Sequence, residues 1–145
     1  MQRIILPYLA GFLAVIFFQQ PTVELLHLAG ATANTAYPLA PVQPLGVPTF
    51  VMSALIDGVI AIVMAWLLRV SPSRPAPWIG AIVFGGVALT AISIFVIGPI
   101  RGEWPSGNIL PRIAFEFVID AMWGWGALIF MRAFMGTDAG IDAGE

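Results

Sequence analysis

Acidic side chains lie inside an apolar stretch near the end of the chain, PRIAFEFVIDAMWGWGALIFMR (residues 111–132). Glu116 and Asp120 are four residues apart, so a helix would place both carboxyl groups on one face, one turn apart. The stretch is long enough to cross a bilayer, where acidic side chains are costly and are functional suspects by default. A third acid, Asp57, lies in another apolar stretch, residues 48–69. These three acids are the first candidates for chemistry.

A polar face in the first apolar stretch adds three further candidates. Gln20, Glu24 and His27 follow the i, i+4, i+7 spacing that puts side chains on one side of a helix. Together with the three acids they predict an acidic vestibule that opens outward and narrows toward Asp57 and Asp120. Such a vestibule would attract cations and could pass protons.

A structural interpretation of the same residues is also open. Asp57 and Asp120 would then hold helices together through hydrogen bonds, as polar side chains do in membrane proteins. Glu116 would pair with the arginine four residues before it, and Glu24 and His27 would be solvated at the membrane surface. Glu24, His27 and Glu116 are metal-ligand types, but no metal-binding spacing accompanies them, so no metal site is predicted.

The composition places these residues in a membrane protein. Of 145 residues, 59% are hydrophobic and 10% are charged, whereas soluble domains have about 25% charged residues. Absence of cysteine excludes disulfides and thiol catalysis, and a single histidine excludes a histidine-rich metal site within one chain. Because no serine-based motif is present either, we expect no enzyme activity and no cofactor. The net charge of −2 gives no reason to expect nucleic-acid binding.

Four helices must position the candidates. The apolar stretches cover residues 4–28, 48–69, 77–97 and 111–134, each near the ~20 residues that span a hydrocarbon core. They predict an all-α bundle of four transmembrane helices, forming one domain over residues 1–136. Residues 137–145 are predicted to be a disordered polar tail in the cytoplasm.

The arginines near the helix ends predict the orientation. With the N-terminus inside, four arginines are cytoplasmic and two are outside: Arg3, Arg69, Arg74 and Arg132 against Arg101 and Arg112. We therefore expect a multi-pass protein of the bacterial inner membrane with both termini cytoplasmic. The first stretch also resembles a secretory signal, but polar residues separate its apolar core from the small residues that a cleavage site needs.

Small residues mark the predicted contacts between helices, because they allow backbones to approach closely. The candidates for helix packing are Ala54, Gly58, Ala81, Gly85 and Gly86.

An internal repeat is a further possibility. Residues 48–69 and 111–132, aligned on their first prolines, match at Asp57 and Asp120 and at their final arginines. A repeat would make the fold two helical hairpins related by an axis along the membrane normal. Chance matching in apolar sequence is the alternative.

The first 65 residues carry a resemblance. LPYLAGFLAVIFFQQ, followed by APVQPLGVP and a helix with Ser53 and Gly58, resembles a family of small four-helix inner-membrane proteins of Proteobacteria that has no known activity. The resemblance implies the four-helix fold and no function. Where many members carry Phe-His-Gln, this chain has Phe18-Gln19-Gln20.

Two functions follow from these observations. The first is a small oligomeric permease or channel for protons, cations or small solutes, using the polar candidates above. The alternative is an accessory or assembly subunit of a larger membrane complex, without chemistry of its own. Four helices bury little interior, so we expect the partners to be the lipid bilayer and either further copies of the chain or other membrane subunits.

Overall fold

Four apolar helices dominate the part of the chain that the structure describes. The computed structural model describes residues 1–100, 102 and 104–141, with side chains through residue 136. The helices run over Gln2–Leu28, Thr49–Leu67, Trp78–Ile100 and Leu110–Ile141, and each is long and apolar enough to cross a membrane. The predicted all-α, four-helix membrane fold is confirmed.

The helix ends differ somewhat from the predicted ones. The last helix continues to Ile141, beyond the predicted end at residue 134, because no proline interrupts residues 135–141. The rest of the predicted polar tail, residues 142–145, lies outside the described residues.

The first helix changes its winding near the middle. It is α-helical over Gln2–Ala14, π-helical over Val15–Gln19 and α-helical again over Gln20–Leu28. Pro21 has no N–H and its ring would clash with the carbonyl one turn earlier. The wider π-helical turn lies directly before this proline and allows the helix to continue through it.

The third helix contains two wider turns. Its segments are Trp78–Val83, Phe84–Leu89 (π-helical), Thr90–Ile92, Ser93–Ile97 (π-helical) and Gly98–Ile100. Pro99 follows the second π-helical turn as Pro21 follows the turn in the first helix. Turns of this kind are frequent at functional sites.

The first and fourth helices form the centre of the bundle. The first packs against the second and the fourth, and the fourth also packs against the third. Gly11 lies against the backbone of Asp57 and the methyl group of Ala61, while Gly85 lies against the backbone of Asp120 and Gly124. Any side chain at these glycines would collide with the neighbouring helix, so the glycines permit the close approach.

The five residues predicted to pack helices are all buried. Gly58 faces the ring of Tyr8, and Gly86 faces the ring of Phe117. Ala54 and Ala81 have no exposed surface, and Gly85 is buried at the contact between the third and fourth helices.

The two ends of the bundle differ in their connections. At one end, called the short-turn end, residues 68–77 join the second and third helices. There the Arg132 guanidinium donates to the carbonyl oxygens of Ser71 and Arg74 at 2.5 and 2.7 Å. At the other end, called the loop end, residues 29–48 include two short antiparallel strands, Pro41–Val42 and Val47–Pro48.

The core is solid toward the short-turn end. Trp123 is fully buried there, and its indole N–H donates to the carbonyl oxygen of Gly11 at 3.0 Å. Met64, Leu128 and Met131 are also fully buried. Large apolar side chains on the outside of the helices remain exposed, as expected for a surface that faces lipid.

The predicted repeat is matched only in part. Each hairpin has a close contact between its two helices, and Val15–Gln19 and Phe84–Leu89 are π-helical at similar distances after Pro7 and Pro77. A full two-fold relation would also need the second and third helices to pack as the first and fourth do. Among the described residues, that pair has no comparable interface.

Candidate functional site

Buried polar side chains come together at one level of the bundle. Among the described residues, five polar or charged side chains are buried: Gln19, Gln20, Asp57, Thr90 and Asp120. They come from all four helices. Asp57 and Asp120 are only 5% and 3% exposed, so both predicted acids lie inside the bundle and not on its lipid surface.

Asp120 is hydrogen-bonded at both carboxyl oxygens. The Gln19 side-chain amide donates to Oδ1 at 3.1 Å, and the Thr90 hydroxyl donates to Oδ2 at 2.9 Å. These bonds join the first, third and fourth helices across the bundle. Such interhelical bonds are worth roughly 0.6 kcal/mol on average in a membrane protein and reach about 1–2 kcal/mol.

Asp57 lies beside Gln19 and Asp120. The Asp57 and Asp120 carboxyl groups are close enough to repel each other when both are charged. Glu116, one turn along the fourth helix, adds a further repulsion at Asp120. Acidic groups of two helices therefore lie together, at a place where a cation would lower the electrostatic energy.

A large cavity lies above the acid pair. Its volume is about 930 Å³, and it extends from the level of Asp57 and Asp120 toward the loop end. Residues of both the second and the third helix line it, and these two helices do not pack closely against each other in the described part of the chain. Gln20 and Glu116 line the same cavity, so four of the six predicted site residues share it.

Glu24 and His27 have a different position. They are not among the residues that line the cavity. The Glu24 carboxylate accepts from the Ala36 N–H at 3.2 Å, and His27 Nδ1 lies 3.1 Å from the carbonyl oxygen of Thr32. Because a carbonyl oxygen only accepts, this contact requires the proton on Nδ1. Both residues hold the loop that follows the first helix.

Gln20 connects this loop to the cavity. Its Oε1 accepts from the Tyr37 N–H at 2.7 Å, and Tyr37 also donates through its hydroxyl to the carbonyl oxygen of Ile16 at 2.8 Å. Tyr37 has a positive φ of 51°, which is uncommon for a residue with a side chain. Residues 31–35 of the loop line the cavity at its loop end. The polar face of the first helix thus positions a loop over the cavity.

We expect Gln20→Ala to loosen this loop. Loss of the Gln20 oxygen removes the acceptor for the Tyr37 N–H, so this amide should exchange with solvent at least about tenfold faster. Hydrogen exchange followed by mass spectrometry of the 29–40 region measures the change. Gln43→Ala, at an exposed position of the same connection, is the control and should leave the rate unchanged. Equal rates in both variants would contradict the role given to Gln20.

Two central residues, Gln19 and Thr90, were not among the candidates from sequence. Thr90 is a hydroxyl residue in an apolar helix, three residues before Ser93, and such residues more often bond to their own backbone. The one signal for Gln19 was the predicted resemblance, according to which related chains would carry a histidine where this chain has Gln19.

No metal-binding cluster is evident in the described part of the chain, where no three His, Cys, Asp or Glu side chains are close enough to hold an ion together. The carboxyl pair offers instead a site for a monovalent or organic cation, or for a shared proton.

The chain matches no protein-family model, no curated protein and no solved structure in the comparisons made. The resemblance of its first 65 residues to small four-helix inner-membrane proteins stays a prediction.

Proposed function

We propose that the protein is a small permease of the inner membrane that moves protons, cations or small cationic solutes. One observation carries the proposal: Asp57 and Asp120, from two different helices, meet at the floor of a cavity of about 930 Å³. Acids inside a membrane bundle that border a cavity are typical of ion and proton pathways. The solid core below them fits a conformation open toward one side.

The test is flux through the purified chain in sealed vesicles. Protein-containing vesicles should take up protons, followed with an internal pH-sensitive dye, and potassium and methylammonium, followed with radioactive tracers, faster than protein-free vesicles. Each gradient is also applied in the reverse direction, so that the measured rates do not depend on the orientation of the protein in the vesicle membrane. Equal rates with and without protein for all three solutes would end the permease proposal.

A second function, as an accessory subunit, is favoured by a different observation. No buried side-chain nitrogen or oxygen lacks a hydrogen-bond partner among the described residues, and Asp120 is bonded at both oxygens. This is the pattern of a polar network that fixes helix positions. In that role the chain would form oligomers or bind other membrane subunits, and purification from native membranes would recover them in constant proportion.

The proposed orientation places both termini in the cytoplasm and the loop end in the periplasm. The arginine distribution supports this direction. We predict that reporters fused at Ser73 and after the last residue indicate the cytoplasm, and one inserted at Asn108 indicates the periplasm. A periplasmic result at Ser73 would reverse the orientation and turn the cavity toward the cytoplasm.

A further inference from the structure

We propose that the cavity binds a small organic cation, with the Asp57 carboxylate as its counter-ion and the apolar walls around its carbon skeleton. This inference rests on the proposed permease function. It narrows the solute from any cation to one that has both a positive charge and an apolar body.

The size of the cavity supports a molecule larger than an ion. The cavity measures about 930 Å³. Pockets for small molecules typically measure about 300–1,000 Å³. A proton or a bare monovalent ion would occupy only a small part of this space.

The lining combines polar and apolar side chains. Among the described lining residues, three acids, Asp57, Glu116 and Asp120, stand against the single cation Arg112. Apolar side chains line it from all four helices: Val23, Ile56, Leu89, Ile97, Phe115 and Ile119. Acidic groups beside apolar side chains complement an amphipathic cation, because the apolar side chains gain from excluding water and the acids gain from neutralisation.

Asp57 is the acid with free capacity toward the cavity. Only 5% of its surface is exposed, and it lines the cavity. Gln19 is the donor beside its carboxyl group, and a carboxylate can accept about four hydrogen bonds. Asp120, in contrast, already has a donor at each oxygen. An ammonium group in the cavity would therefore bond to Asp57, while Asp120 holds the Gln19 side chain in place beside it.

The arrangement suits an organic cation better than a metal ion. A metal ion needs several ligands at short distances, and the described residues hold no group of three acids or histidines close enough to provide them. An ammonium ion needs one counter-ion, a few acceptors and an apolar surface for its carbon atoms.

Titration calorimetry with three matched probes tests this inference. The purified full chain in detergent micelles is titrated with 2-phenylethylammonium, with ethylammonium, which lacks the ring, and with 2-phenylethanol, which lacks the charge. We expect saturable binding of one 2-phenylethylammonium per chain and at least tenfold weaker binding of the other two. Sodium at equal concentration should not displace the probe. Equal affinity for all three probes, or full displacement by sodium, would overturn the inference.

The matched variants are Asp57→Asn and Glu24→Gln. Asp57→Asn should weaken binding of 2-phenylethylammonium at least tenfold, and Glu24→Gln, which lies outside the cavity lining, should leave it unchanged. Unchanged binding by Asp57→Asn would refute the role of Asp57. If this variant does not fold, the probe comparison on the unmodified chain decides alone.

Binding and flux separate this inference from the permease proposal. Saturable binding of 2-phenylethylammonium without flux in vesicles would support the site and refute the permease. Proton or potassium flux without saturable binding would support the permease and refute the organic-cation site.

Discussion

Asp57→Asn is expected to reduce cation flux in vesicles to the rate of protein-free vesicles. The substitution keeps the shape of the side chain and one carbonyl oxygen, but it removes the negative charge at the floor of the cavity. A permeating cation or proton would then lose the Asp57 counter-ion at the floor of the cavity, where the other acid, Asp120, is already bonded to a donor at each oxygen. Desolvation of a charge without a partner is strongly unfavourable in a low-dielectric interior.

The measurement is the initial rate of dye response under an imposed gradient, at equal protein content. Glu24→Gln is the control, because it neutralises a carboxyl group that holds the loop while an oxygen remains to accept from the Ala36 N–H. We expect wild-type rates in this control. Wild-type flux in Asp57→Asn, with the same elution profile on size exclusion, would show that the Asp57 charge has no part in transport.

The architecture could be predicted because its causes are local. Four apolar runs of membrane-spanning length determine the four helices, and every small residue predicted to pack helices is buried. Burial could be predicted too: Asp57 and Asp120 lie within long apolar runs, and both are buried in the bundle. These inferences need only helix geometry and the energetic penalty of polar groups in lipid.

The division of roles among the polar residues could not be predicted. Gln20, Glu24 and His27 share one helix face, yet only Gln20 reaches the cavity. All three side chains bond to the loop that follows the first helix. The spacing of residues along a helix does not predict the path of such a loop. The first helix is also π-helical between residues 15 and 19. The spacing of a regular α-helix therefore does not predict which side of the helix carries the Gln19 side chain.

Asp120→Leu is expected to destabilise the bundle by about 2 kcal/mol or more. The carboxyl group is the acceptor for both Gln19 and Thr90, and a buried donor left without an acceptor costs about 1–3 kcal/mol. Thr90 can turn its hydroxyl toward its own helix backbone, so most of the loss falls on the Gln19 amide. Asp120→Asn keeps an acceptor oxygen at the same place and should cost less than about 1 kcal/mol.

A second substitution tests whether the Gln19 amide is the cause. Gln19→Met has nearly the same shape without polar hydrogens, and replacing both partners of a buried hydrogen bond by apolar groups can be nearly neutral. In the wild-type background Gln19→Met should destabilise the protein, because Asp120 loses a donor; in the Asp120→Leu background it should stabilise it. The free energy of unfolding in mixed micelles with increasing dodecyl sulfate measures both effects. Equal changes in the two backgrounds would mean that Gln19 and Asp120 are not coupled, and the hydrogen bond between them would then have no energetic importance.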